Sequence, residues 1–402
     1  MLRVGVPAPY SGGFSEEKRS MALESQSGAV AQPAARRLSG GQQAILVLSR
    51  IWGWVFLAVL IILFTVLSAA LEGINFLSLR NSQNILVAII PILLMGLGET
   101  FVIIAGGIDL SVGWVMGLSS VVAALIMRDL VAFNTTTSAP LVLIAGFAGA
   151  IGVALVVGLV NGVVIAKLRV PPFIVTLGTS FIARGFGYLL SGANVVGGQP
   201  TFVRDFGNEA LMYWMPGSGL SIFQRPEVAQ EQLRVLEKIF PWPVVVTAIV
   251  TAIAIFLLHK TQYGRHTFAI GGNREAAIRA GVPVDRHTIM LYVLSGLTTG
   301  VAGFLHTCRY SGGSAIAGET LLLSAIAAVV IGGVSMFGGE GRVTGTIVGA
   351  LILAVLQTGL VMLNVQPYWQ YVVIGIIVIL AVLIDQSRDL IVGRAEASGG
   401  GS

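Results

Sequence analysis

Gly271-Gly272-Asn273-Arg274-Glu275-Ala276-Ala277-Ile278-Arg279-Ala280-Gly281 lies between two long apolar runs and reads as a short, polar, capped helix. Asn273 can accept a free backbone N–H at the helix start. Glu275 falls in the first turn, where the helix dipole favours negative charge. Ala276, Ala277 and Ala280 are strong helix formers with almost no side chain. Gly281 suits the left-handed position that ends a helix, and Pro283 prevents continuation. The result is about two turns, on the order of 10 Å long. A helix that short is marginal in water alone, so it needs a surface to pack against. Two readings follow: the segment packs on its own chain, or it presents an alanine face to another protein and passes mechanical work through the contact.

The runs on either side set the class. The chain has 402 residues, 55% hydrophobic and 11% charged, with mean hydropathy +0.87. Soluble domains carry about 25% charged residues. So few charges cannot solvate a globular surface of this size, and the composition is that of a polytopic membrane protein. The 51 glycines fit close approach between membrane helices. The net charge of +5 comes from Lys and Arg dispersed in loops, where they set topology, and forms no nucleic-acid patch. A single cysteine, Cys308, excludes an intrachain disulfide.

A spanning helix needs about 20 mainly apolar residues. Ten candidates meet that, at 52–71, 84–104, 110–127, 141–166, 173–190, 243–258, 288–307, 321–337, 343–363 and 368–384. With the N-terminus inside, the inner segments hold 16 of the 24 Lys and Arg and the outer segments seven, which puts both termini in the cytoplasm. The organisation is a disordered cytoplasmic tail over 1–43, a transmembrane domain over 44–387 and a cytoplasmic tail over 388–402. An outer loop covers 191–242, and the quoted helix sits in an inner loop over 260–287. Within the outer loop, 226–240 is predicted as an amphipathic helix with Leu233, Leu236 and Phe240 on one stripe, facing either the membrane surface or a partner.

No Gly-x4-Gly-Lys-Ser/Thr occurs, so the chain has no P-loop to hold ATP. His306 and Cys308 have no partners at metal-ligand spacing, and no catalytic cluster is evident. Polar groups inside the spans remain. Asn161, Thr179 and Ser180 are candidates for a translocation path or for hydrogen bonds between helices. Glu99 and Arg184 are a candidate ion pair. Asp109 either caps the third span after the Gly106-Gly107 turn or serves as a gate or subunit contact, with Ser111 and Gly113 allowing close packing. Gly332 and Gly333 make a similar turn before a later span, a weak internal repeat.

These residues also carry a resemblance. Glu275-Ala276-Ala277 followed by Gly281 resembles the EAA-x3-G coupling motif of ATP-binding cassette (ABC) importer permeases. The wider run Tyr263-Gly264-Arg265, Gly271-Gly272-Asn273, Ala276-Ala277, Gly281 and Ser295-Gly296 is similar to the ribose-type branch of carbohydrate permeases. Gly106-Gly107-Ile108-Asp109-Leu110-Ser111-Val112-Gly113 resembles that branch's signature. Ala325-Ile326-Ala327-Ala328-Val329-Val330-Ile331-Gly332-Gly333, continuing to Phe337-Gly338-Gly339, Gly341 and Gly345-Thr346, resembles its C-terminal counterpart. The similarity covers roughly 75–389; the long N-terminal tail and the 226–240 insertion depart from it.

The resemblance implies an all-α polytopic membrane protein of about ten transmembrane helices with a type II ABC importer-like permease fold. It implies import of a monosaccharide or related polyol across the bacterial inner membrane, with no enzymatic activity and no cofactor on this chain. ATP and Mg2+ would be bound by ABC ATPase subunits docked on Gly271, Gly272, Asn273, Glu275, Ala276, Ala277 and Gly281. A second permease copy or a paralogue, an extracytoplasmic sugar-binding protein and membrane lipid complete the implied partners. A permease for a non-sugar such as branched-chain amino acids or nucleosides, and a secondary transporter needing no ATPase, are the alternatives.

Overall fold

The computed structural model describes residues 40–215, 219–223, 225–226, 236–366, 368–376 and 379–380, with side chains from residue 52 onward. It divides into a leading unit, Met1–Ser49, and a main unit, Arg50–Ser402. In the leading unit the described backbone is helical from Gly40, inside the segment expected as tail. The rest of that tail and the C-terminal tail lie outside the described residues.

The helices are α1 (Gly40–Leu67, closed by a π-turn at Ser68–Glu72), α2 (Leu79–Ile104), α3 (Val112–Phe133), α4 (Ala139–Lys167), α5 (Pro172–Ser191), α6 (Thr201–Asn208), α7 (Trp242–Lys260), α8 (Gln262–Gly272), α9 (Arg274–Arg279), α10 (Val284–Tyr310), α11 (Leu321–Ile331) and α12 (Val343–Met362). Local chemistry accounts for many of their ends. Ser78 Oγ accepts the N–H of Asn81 at 3.3 Å and caps α2. Prolines occupy the first turn of α4, α5 and α7, where their missing N–H costs nothing.

Among the described residues, eight helices are long and apolar enough to cross a membrane: α1 to α5, α7, α10 and α12. The tenth expected span is helical over 368–376 and then runs into residues outside those described. The ninth differs. The apolar run 321–337 contains only the 11-residue α11, roughly 16 Å long against a hydrocarbon core of about 30 Å. The other half of this crossing is the irregular segment 311–320. It runs antiparallel to α3, with Gly313 against Ser120, Ala315 against Gly117 and Gly318 against Gly113. Irregular backbone is tolerated at membrane depth only when buried in protein, with its polar groups paired. Gly313 and Val196 exchange backbone hydrogen bonds of 2.8 and 3.1 Å, and Ser314 N–H donates to Ser120 Oγ at 3.2 Å.

α2 and α10 form the centre of the bundle. α10 lies tightly along α4 because small residues meet backbone. Gly158 abuts the backbone of Tyr292, Gly162 that of Ile289, and Gly296 that of Ala154. Such small-residue seams replace the hydrophobic drive that is missing between helices in lipid. Large apolar side chains instead face outward, among them Phe173, Phe181 and Phe186 of α5 and Ile62 of α1.

One departure from an all-helical chain lies in the outer loop. β1 (Ala210–Met215), β2 (Gly219–Ile222) and β3 (Glu237–Pro241) form an antiparallel sheet in the order β2-β1-β3. The amphipathic helix expected over 226–240 is therefore wrong at its end, where Ile239 pairs with Met212 and Glu237 with Trp214. Pro241 and Pro243 bar a helix from running through this stretch into α7, and β1 offers free backbone groups. Residues 227–235, including Leu233, lie outside those described.

Candidate functional site

The three motifs singled out in the sequence converge at one end of the bundle, the end carrying α8 and α9. Each contains a helix closed in the same way. Gly106 (φ +83°), Gly281 (φ +81°) and Gly333 (φ +82°) are left-handed, and the residue after each donates its N–H back across the last turn. The bonds are Gly107 to Val102 O at 2.9 Å, Val282 to Ala277 O at 3.0 Å and Val334 to Val329 O at 3.2 Å. This is the Schellman closure, which satisfies carbonyls that the helix leaves free. The shared closure is the physical content of the repeat seen between the Gly106 and Gly332 regions.

Backbone packs on backbone where they meet. Gly339 N–H donates to Ile104 O at 2.8 Å. A Cβ on Gly338 would stand 3.1 Å from the carbonyl oxygens of both Gly271 and Ile104, and 3.2 Å from Gly106 N. A Cβ on Gly271 would collide with Ile104 O and Gly339 N, whereas one on Gly272 meets nothing within 4 Å. Gly332 abuts Gly345, joining α11 to α12. The helix α8, which sequence reading did not separate from its surroundings, delivers Gly271 into this junction.

α9 follows directly. Asn273 Oδ1 accepts the N–H of Ala276 at 2.9 Å, the cap expected from sequence. Glu275 and Arg279 face each other at 3.7 Å, both well exposed, a pairing worth about 0.3–0.5 kcal/mol. The alanines do not form one outward face. Ala277 is buried against Ile270 and Val284 of its own chain. Ala276, Ile278 and Ala280 are exposed, and Ile278 is the large apolar side chain among them, at 56% exposure. Sequence reasoning missed Ile278, and its only signal was an apolar residue between two arginine-bearing positions.

Deeper in the bundle lies a polar network. Ser295 Oγ donates to Asp109 Oδ2 at 2.8 Å, and Ser111 donates its N–H and its hydroxyl to Asp109 Oδ1. Asp109 N–H donates to Glu99 Oε2 at 3.3 Å. Asn161 Nδ2 donates to Ser111 Oγ at 3.0 Å, and Thr179 Oγ1 donates to Asn161 Oδ1 at 2.7 Å. α2, α4, α5, α10 and the turn into α3 are thus tied together about three turns into α10, roughly 16 Å along its axis. Asp109 is 2% exposed, buried within its own chain. The expected cap is not made: Ser111 is the residue at the start of α3, no side chain caps the helix, and Asp109 instead bonds Ser111 and a neighbouring helix. A Cβ on Gly107 would stand 2.6 Å from Tyr292 Oη, so that glycine admits the tyrosine beside the network. Asn161 and Thr179 spend their polar groups on each other and on Ser111, and Ser180 is buried beside them on α5. Thr179 borders an apolar groove on the α4–α5 face.

Glu99 and Arg184 do not pair. The Arg184 guanidinium lies over the Trp114 ring, 4.6 Å from its centroid, and 5.7 Å from that of Tyr188. No three His, Cys, Asp or Glu side chains gather as a metal site among the described residues.

Residues 81–382 match the family described as branched-chain amino acid transport system / permease component. The ribose import permease protein of Bacillus subtilis is 36% identical over 345 residues, covering 85% of this chain and 94% of that protein. The galactose/methyl galactoside import permease protein of Escherichia coli is 36% identical over 340 residues, covering 84% and 94%. The fructose import permease protein of Rhizobium meliloti is 34% identical over 328 residues, covering 82% and 84%. No solved structure matches the chain.

Proposed function

Because the chain belongs to the family of branched-chain amino acid transport system / permease components, we propose that it is the membrane-spanning subunit of an ABC importer carrying a monosaccharide or related polyol across the bacterial inner membrane. The observation that carries the substrate class is its similarity, over nearly their whole length, to permeases named for ribose, galactose and fructose.

The chain has no P-loop, so the energy for transport enters through a contact. α9 supports that role. The bias of Lys and Arg supports the cytoplasmic side for it, and Ile278 gives an ATPase subunit an apolar anchor flanked by Glu275 and Arg279. Gly271 seats α8, next to α9, on the ends of α2 and the Gly338-Gly339 turn, giving motion of α9 a rigid route into the bundle. ATPase states that bind α9 differently would shift the permease between conformations. ATP and Mg2+ reside on that subunit.

A second permease copy fits the face formed by α5 and 311–320. Arg184 lies over Trp114 at the start of α3, and Glu319 follows Gly318, which packs on Gly113. Both charges are exposed well inside the bundle's length. A charge against hydrocarbon is costly, so this face belongs against another copy and the aqueous route between them. The sheet end, with Leu220, Ile222 and Phe223 exposed, is the docking surface for an extracytoplasmic sugar-binding protein.

The test is uptake of labelled ribose, galactose, fructose and leucine by cells expressing the chain with its co-purifying ATPase and binding protein. ATP-dependent uptake of a sugar is expected. Uptake of leucine without any sugar would establish the second reading, which the family's description favours, and overturn the first.

A further inference from the structure

α5 and the segment 311–320 form one continuous face, since a Cβ on Gly187 would stand 3.2 Å from Ala315 Cβ. Two opposite charges lie on that face, and both are exposed. Arg184 sits roughly 18 Å from one end of α5 and roughly 10 Å from the other, inside a hydrocarbon core of about 30 Å. Its guanidinium rests on the Trp114 ring, with the Tyr188 ring 5.7 Å away. Glu319 follows Gly318, which packs on Gly113. Gly113 and Trp114 are neighbours in the first turn of α3, so the two charges lie near one depth.

Neither side chain has an ion-pair or hydrogen-bond partner among the described residues. The aromatic rings hold the guanidinium in place but accept few of the hydrogen bonds its N–H groups can donate. A carboxylate that takes two of them side by side is the partner such a fork fits. A lipid headgroup is a poorer partner, because the guanidinium is held on Trp114, short of the end of α5. A two-fold axis along the membrane normal carries each residue to the same depth in a second copy and makes every contact reciprocal. Arg184 of one copy then stands level with Glu319 of the other. Gly178 and Gly185 of α5 would meet nothing within 4 Å if given a Cβ, which leaves room on this helix for a close approach.

Resting on the two-copy reading above, we infer that Arg184 and Glu319 pair across the two copies and close the route between them. Two such pairs form, one on each side of the axis. When the copies lie together, water is excluded and each charge is neutralised by its partner. When they part, each charge returns to the aqueous route. Neither state strands a charge in hydrocarbon, so a modest bias from the ATPase subunits can select between them.

The experiment uses the assembled transporter in membranes. Chains carrying Arg184→Cys and chains carrying Glu319→Cys, each with its own affinity tag, are expressed together. They are treated with a bis-methanethiosulfonate whose spacer matches the two lost side chains; Cys308 is buried and adds little background. A cross-link joining the two tags is expected, at least fivefold above either variant expressed alone, and its yield should change at least threefold when a non-hydrolysable ATP analogue is bound. Arg184→Glu and Glu319→Arg should each lower sugar uptake at least tenfold, and the double exchange should recover it to within threefold of the unaltered chain. Should the exchanged chains fail to accumulate in the membrane, the cross-link alone decides. No cross-link between co-purifying tags overturns the pair and leaves the two-copy reading standing, as does a double exchange that accumulates but transports no better than the singles. A cross-link whose yield ignores the nucleotide overturns the gate. Tags that do not co-purify from unaltered chains refute the two-copy reading and the pair with it.

Discussion

Gly339 donates its backbone N–H to the carbonyl oxygen of Ile104 at 2.8 Å, so the glycine turn after α11 is stitched to the last turn of α2. Gly271 closes over that bond from α8. The junction is made wholly of main chain, which cannot step aside for a side chain.

Gly271→Ala is therefore expected to destabilise by about 1–3 kcal/mol, the usual cost of overpacking a site that cannot relax. Gly272→Ala, one residue on and facing open space, is expected to change stability by less than about 0.5 kcal/mol. Thermal unfolding of the two variants in detergent separates them. Equal midpoints would mean that the junction yields.

The Asp109–Ser295 bond makes a second prediction. Asp109→Ala strands the hydroxyls of Ser111 and Ser295 and the N–H of Ser111, all buried, at about 1–3 kcal/mol for each group left unsatisfied. Once Asp109 is gone, Ser295→Ala removes a group that has already lost its partner. The double variant should be less destabilised than the two singles summed, with a coupling of about 0.5–3 kcal/mol. Additive losses in a denaturation cycle would show the bond to contribute nothing of its own.

The parts of this architecture that were legible in sequence are those set by neighbours along the chain. Asn273 and Gly281 mark a helix because capping and left-handed closure are local chemistry, and both occur as read. The apolar runs mark spans for the same reason. What sequence did not reveal depends on partners far away. Nothing near Arg184 says that its guanidinium lies on Trp114 and not against Glu99. The run 321–337 has a span's hydropathy, but a Schellman turn at Gly333 ends its helix, and the missing half-crossing comes from 311–320, which carries no long apolar run. The stripe at Leu236 and Phe240 matches a helical period, yet pairing with β1 decides the backbone there. For Ala276, Ala277 and Ile278, composition gave the helix but not which face turned inward.

Loss of the cap isolates the contribution of α9's shape. Asn273→Ala removes the bond to Ala276 N–H, a change of about 0.5–2 kcal/mol, concentrated on a helix too short to persist unaided. Sugar uptake should fall several-fold while the amount of protein in the membrane holds, and Asn273→Asp, which keeps the acceptor, should retain most uptake. Full uptake with alanine would show that α9 need not stay ordered for transport.

The last prediction turns on two adjacent residues that face opposite ways. Ala277 is buried against Ile270 and Val284, so Ala277→Asp places a carboxylate where it has neither water nor partner. That variant should lower thermal stability and membrane abundance, and any loss of uptake follows from misfolding. Ile278 is exposed, so Ile278→Asp should leave the unfolding midpoint within a degree or two of the unaltered chain. If α9 docks an ATPase subunit, the same substitution buries an unpaired charge at the contact and should reduce co-purification of that subunit at least tenfold, taking uptake down with it. The two variants thus separate packing within the chain from contact beyond it. An Ile278→Asp protein that binds its ATPase and transports normally would move the docking surface away from α9, whatever Ala277→Asp does.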